Sequence, residues 1–67
     1  MPEKWTGRLI GKMHNEGVSN DDLAAELGVS KAYVSMLLNG HRKPAGARER
    51  MEAAFAEILR KRQEASE

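Results

Sequence analysis

The sequence predicts an all-α protein, a compact bundle of four helices whose last member is long. Three observations point there. Apolar residues recur at helical spacing, as in Trp5, Leu9 and Met13. No stretch alternates polar and apolar residues with the period of a strand. Isolated glycines at 17, 28 and 40 punctuate the helical segments as natural stops. With 67 residues, 40% hydrophobic and 31% charged, the chain reads as one small globular domain without repeats or low-complexity segments.

The first helix is expected from about Pro2 or Glu3 to Glu16, since proline suits a first helical turn. Trp5, Leu9 and Met13 form its inward face with Ile10 alongside, and Gly7 and Gly11 each weaken it by about 1 kcal/mol against alanine. Ser19-Asn20-Asp21-Asp22 fits a capping box and opens the second helix, with two carboxylates in its first turn. Leu23 and Leu27 are its inward pair, and Gly28 ends it. Val29 bridges to Ser30, which caps a third helix running to Asn39. His41-Arg42-Lys43-Pro44-Ala45-Gly46 is a turn. The last helix starts near Gly46 and runs to about Arg62 or Gln63, with Ala47, Met51, Ala54, Phe55, Ile58 and Leu59 as its apolar stripe. Glu57 and Lys61 are placed to pair across one turn, and a frayed tail is expected over about 63–67.

The third helix has an unusual outward side. SKAYVSMLLN buries Val34, Leu37 and Leu38 and turns Ala32, Ser35, Met36 and Asn39 outward, with Tyr33 at the edge. An ordinary solvated face carries Glu, Lys and Arg. Charge is also uneven along the chain. Asp21, Asp22 and Glu26 outweigh Lys31 in residues 19–40, whereas Arg42, Lys43, Arg48 and Arg50 outweigh Glu49 in residues 41–50. The formal net charge is only +1, so an anionic partner would be met by a local basic patch.

Residues 20–39 have the spacing of a helix-turn-helix unit, two helices joined by a short turn containing glycine. Small Ala24 permits close approach of the third helix, Gly28 can take the positive φ of a tight turn, and Val29 fills the elbow. Leu23, Leu27, Val34 and Leu37 bury the inner faces.

LAAELGVSKAYVSMLLNG, followed by a basic turn and Pro44, resembles the Cro/CI-type helix-turn-helix family, also called the XRE family, of phage repressors and related bacterial regulators. The likeness covers roughly residues 5 to 59 and is most specific over Leu23–Gly40. It implies a lambda-repressor-like bundle of four or five helices. The region after Gly46 shows no break, so one long helix replaces the family's last two shorter ones, a departure at the usual dimer surface of such repressors.

The resemblance further implies that Ser30–Asn39 is a recognition helix lying in the DNA major groove. Phosphates flank a groove on both sides, so its leading face should lack acidic groups and carry short polar groups and methyls. The implied base-reading residues are Lys31, Ala32, Tyr33, Ser35 and Met36. Lys31 sits at the first helical position, where the helix dipole disfavours a cation, and can reach guanine or a phosphate. Ala32 and Met36 suit thymine methyls, and Ser35 suits either base type. Met36 has partial burial against a neighbour as its alternative. Tyr33 either meets phosphate, lines the groove wall or packs on the second helix. Phosphate contacts fall to Asn20 at a helix N-terminus and to Asn39, Arg42 and Lys43. His41 adds a contact or is plain surface, and His14 is surface. Trp5 is assigned to packing between the first and last helices. The run Arg60-Lys61-Arg62 is either solvated or an aid to non-specific binding.

The partner expected is therefore double-stranded DNA carrying an inverted repeat. The protein is expected to be a monomer or weak homodimer in solution that pairs on DNA, since the outward side of the last helix is mostly charged. The competing function is a protein-interaction module, an antitoxin or adaptor that keeps the fold, for which an exposed Tyr33, Met36 and Leu38 would serve. An enzyme is not expected: no nucleophile–base constellation or phosphate-binding glycine loop is present. No cofactor, metal or small-molecule ligand is expected either, since the chain has no cysteine and two distant histidines do not make a metal site. No apolar run nears the roughly 18 residues of a membrane span, and no signal-peptide core opens the chain. A cytoplasmic, bacterial or phage-encoded protein is the expectation.

Overall fold

The computed structural model describes residues 4–42 and 44–65. Among them it contains four helices, α1 (Lys4–Glu16), α2 (Asn20–Leu27), α3 (Lys31–Leu38) and α4 (Ala47–Ala65), and no strand. The helix α2 packs against both α3 and α4, while α1 lies on α4 and α3. One core joins Leu9 and Met13 of α1, Leu23 and Ala24 of α2, Val34, Leu37 and Leu38 of α3, and Ala47, Met51, Ala54, Phe55 and Ile58 of α4. Leu23, Val34 and Met51 are wholly enclosed. Truncating Leu23 or Met51 to alanine removes about 2–5 kcal/mol, much of what a small domain has in total.

Each helix end has a local cause. Gly17, at φ 68°, lets the Gly17 amide donate to the His14 carbonyl and the Val18 amide to that of Met13, at 3.3 and 2.8 Å. A side chain there would meet nothing within 4 Å, so the requirement is for the backbone conformation alone. Val18, between the glycine stop and the Ser19 cap, is buried. It precedes the Ser19 cap as Leu23 follows it, the placement of a hydrophobic staple. Gly28, at φ 73°, closes α2, and its amide and that of Val29 both donate to the Ala24 carbonyl at 2.9 and 3.0 Å.

Several expectations need correction. Ile10 is 44% exposed, because Thr6, Leu9 and Met13 set the inward stripe of α1 and Ile10 lies about 100° away from Leu9. Thr6, polar and unremarked in the sequence, takes that inward place. Val29 does not fill the elbow: it is 38% exposed, since backbone hydrogen bonds close the turn without its side chain. Glu57 takes Arg60 rather than Lys61 as its partner, and Lys61 crosses to Glu26 of α2. The helix α4 continues past Gln63 through Glu64 and Ala65, with Glu64 giving Arg60 a second carboxylate. Trp5 is half-buried and packs against the core.

Candidate nucleic-acid interface

The candidate surface is built from the start of α2, the outward side of α3 and the turn that follows it. Ser19 has extended backbone and caps α2 in both directions. Its hydroxyl accepts from the Asp22 amide at 3.1 Å, and the Asp22 carboxylate accepts from the Ser19 amide at 2.9 Å. The Ser19 amide first, then the Ser19 hydroxyl and then Arg62 hold the Asp22 carboxyl below the ordinary aspartate value. This box defines where Asn20, a half-buried residue at the first position of α2, stands.

The cap of α3 is simpler. The Ser30 hydroxyl accepts from the Tyr33 amide at 3.1 Å. At the other end Gly40 turns the chain. Its amide donates to the Leu37 carbonyl, and the His41 amide to that of Met36 at 2.9 Å. The same closure fixes Arg42 just beyond the negative end of the α3 dipole, where its amide also reaches the Met36 carbonyl at 3.4 Å.

Between these caps the helix divides cleanly. Val34, Leu37 and Leu38 are buried, Lys31, Ala32 and Asn39 are exposed, and Ser35 and Met36 are half-buried at the surface. Lys31 is the only charged residue of α3, so its outward side has no carboxylate of its own. Asn39 donates its side-chain amide to the Ser35 hydroxyl at 3.2 Å. One residue expected to read bases and one expected to meet phosphate are thus tied together. Because the Ser35 oxygen is accepting, its hydroxyl hydrogen stays available to donate outward.

Tyr33 is drawn inward. Its ring packs on the core and lines a shallow groove with Leu27, Val29, Ala47, Arg50 and Met51. That is the packing alternative, joined by α4 as well as α2. Leu38, which a protein-binding face would need to display, is 4% exposed. Lys43 lies outside the described residues. His41 and His14 are exposed.

Charge around the surface is rearranged by the fold. Lys31 has a partner in Asp21, 3.7 Å away, with both side chains about two-thirds exposed. Arg48 is engaged by Glu52 at 3.4 Å. Arg42 forms no ion pair with a described residue, so it presents its full charge to solvent. The acidic excess of α2 is reduced from a distance: Arg62 meets Asp22 at 3.4 Å, and Lys61 meets Glu26 at 2.8 Å. The run Arg60-Lys61-Arg62 is therefore committed within the molecule. No local pattern in the sequence signals the Asp21 or Arg62 contacts, because each joins separate elements.

Among the described residues no helix is long and apolar enough to cross a membrane. A family model described as helix-turn-helix matches residues 15–48, slightly more than half of the chain, from the end of α1 to the start of α4. No curated protein and no solved structure matches the chain.

Proposed function

The chain belongs to the helix-turn-helix family of DNA-binding regulators, in its XRE branch, and we propose that it binds double-stranded DNA sequence-specifically as a transcriptional repressor or regulator of phage or mobile-element type. The observation that carries this reading is the outward side of α3. It is capped at both ends, has no carboxylate of its own, and is followed by a turn that carries Arg42. A helix with that surface can approach phosphates on both walls of the major groove without repulsion.

In this reading α3 enters the groove. Lys31 reaches a guanine edge or a phosphate, Ala32 and Met36 meet methyl groups, and Ser35 donates to a base acceptor. Tyr33, anchored on the core, borders the groove wall. Asn20 and the α2 N-terminus take one phosphate strand, while Asn39, Arg42 and Lys43 take the other. About four to six phosphate contacts per protomer make affinity strongly salt-dependent. One such domain covers only about 600–1,000 Å², so two copies on an inverted repeat, with half-sites about one helical turn apart, supply the affinity. The outward side of α4, with Arg48, Glu49, Glu52 and Arg60, is charged and suits a monomer or weak dimer off DNA. In this reading the protein is cytoplasmic and either bacterial or phage-encoded.

Selection from a random duplex pool at about 0.15 M salt, beside a Lys31→Ala control, tests it. Enrichment of a short motif that the control weakens or respecifies supports readout by α3. Absence of enrichment, with only weak salt-sensitive binding, overturns it in favour of the protein-interaction module. That alternative has lost Leu38 from its available surface.

A further inference from the structure

The C-terminal part of α4 reaches back over the start of the helix-turn-helix. The Arg62 guanidinium donates through Nη1 to the Glu16 carbonyl at 2.8 Å and through Nη2 to the Gly17 carbonyl at 3.2 Å. Nη2 also lies 3.4 Å from Asp22 Oδ2, the carboxylate that completes the Ser19 capping box. The next residue toward the N-terminus, Lys61, donates to Glu26 Oε1 at 2.8 Å. Two consecutive side chains of α4 therefore hold α2 near both of its ends.

We infer that this clasp positions the N-terminus of α2 for phosphate, which makes Arg62 a positioning residue for DNA binding that does not itself touch DNA. The inference rests on the DNA-binding reading above. Glu16 and Gly17 are where α1 ends, and their carbonyls have no partner within that helix. A cation there also complements the negative end of the α1 dipole. The planar guanidinium spans those carbonyls and Asp22 together, a geometry an ammonium cannot match. Only Val18 and Ser19 separate Gly17 from Asn20, so fixing Gly17 and Asp22 leaves little freedom for Asn20 between them. The clasp also sets the charge Asn20 works beside. Without Arg62, the Asp22 carboxylate would keep its Ser19 capping bonds but lose its neighbouring cation, two residues from a proposed phosphate contact.

The alternative role for the basic run, direct contact with DNA, makes a different prediction. A residue that neutralises a phosphate contributes about one unit to the slope of log K against log salt. A positioning residue lowers the fraction of molecules competent to bind and leaves that slope alone.

The test compares the full chain with Arg62→Gln and Arg62→Lys on a mixed-sequence duplex of about 30 base pairs over a salt series. Amide exchange of Asn20–Leu23 is measured on the free proteins. For Arg62→Gln we expect affinity to fall about three- to tenfold, an unchanged salt slope and faster exchange at those amides. Arg62→Lys, which keeps the charge but not the fork, should recover part of the loss. A slope reduced by about one makes Arg62 a DNA contact and overturns the inference. So does an Arg62→Gln protein that matches the parent in both affinity and exchange. If the parent protein itself fails to bind duplex DNA, the DNA reading falls and takes the positioning role with it. That result differs from parent binding with no effect of Arg62.

Discussion

Lys31 Nζ lies 3.7 Å from Asp21 Oδ2, joining the first turn of the proposed recognition helix to the first turn of α2. The pair gives Lys31 a local partner at a position where the α3 dipole alone would disfavour a cation. It also sets a carboxylate beside a residue that must reach DNA. On binding, Lys31 has to exchange Asp21 for a base or a phosphate. Exposed pairs of this kind contribute about 0.2–1 kcal/mol. Asp21→Asn should therefore raise affinity for random duplex DNA by less than about fivefold and lower the ratio of specific to random binding. Competition titration with selected and scrambled duplexes reads both. An equal loss of affinity for both would mean that Asp21 supports the fold rather than restrains Lys31.

The hydrogen bond from Asn39 to Ser35 makes a second expectation. Both residues sit at the surface of α3, so Ser35→Ala should change thermal stability by no more than about 0.5 kcal/mol. It should nevertheless cost about 0.5–1.5 kcal/mol of discrimination at the base pair it meets, the worth of one hydrogen bond. The loss should be confined to one or two positions of the selected motif. A uniform loss across all positions would place Ser35 off the bases.

Arg42 offers the cleanest electrostatic test, because no described carboxylate competes for it. Arg42→Ala should weaken binding about equally on every sequence and reduce the slope of log K against log salt by about one. Arg48→Ala should change the slope less, since Glu52 already engages that guanidinium. If the two variants behave alike, the turn after α3 is not the favoured phosphate contact.

The Asp22 carboxyl titrates below its ordinary value because the Ser19 amide and hydroxyl, and then Arg62, favour its charged form. A carboxyl depressed on folding contributes stability that is full above its unfolded value of about 3.9 and is lost as pH falls through the lower folded value. Glu57, depressed chiefly by its hydrogen bond to Arg60, acts in the same direction. The melting temperature should thus drop as pH is lowered from about 5 to about 3. Asp22→Asn should start lower at neutral pH and show a shallower drop. Equal pH dependence in the two proteins would remove Asp22 from the acid transition.

The chain order determined the helix caps, the glycine stops and the apolar stripes, though not every contact within one turn, since Glu57 pairs with Arg60 rather than Lys61. The Ser19–Asp22 box, the Ser30 cap and the left-handed stops at Gly17 and Gly28 are each complete within a few consecutive residues, and the stripe Ala47-Met51-Ala54-Phe55-Ile58 repeats one helical period along α4. Backbone hydrogen bonding and helical periodicity express such patterns wherever they occur, so four helices and the helix-turn-helix are legible in the sequence. The division of α3 into buried Val34, Leu37 and Leu38 and outward Ala32, Ser35, Met36 and Asn39 followed from the same period.

Tertiary structure alone decided which charges remain available. Lys61 and Glu26 are 35 residues apart, and Arg62 and Glu16 are 46 apart, so no local spacing could pair them. Only the way α4 crosses α2 brings the basic run onto the acidic helix, leaving Arg42 as a cation with no ion pair to a described residue. The same packing drew Tyr33 inward and left Ile10 and Val29 outside. Burial is a property of what a neighbouring element covers, and periodicity within one helix names a face without saying how far that cover extends.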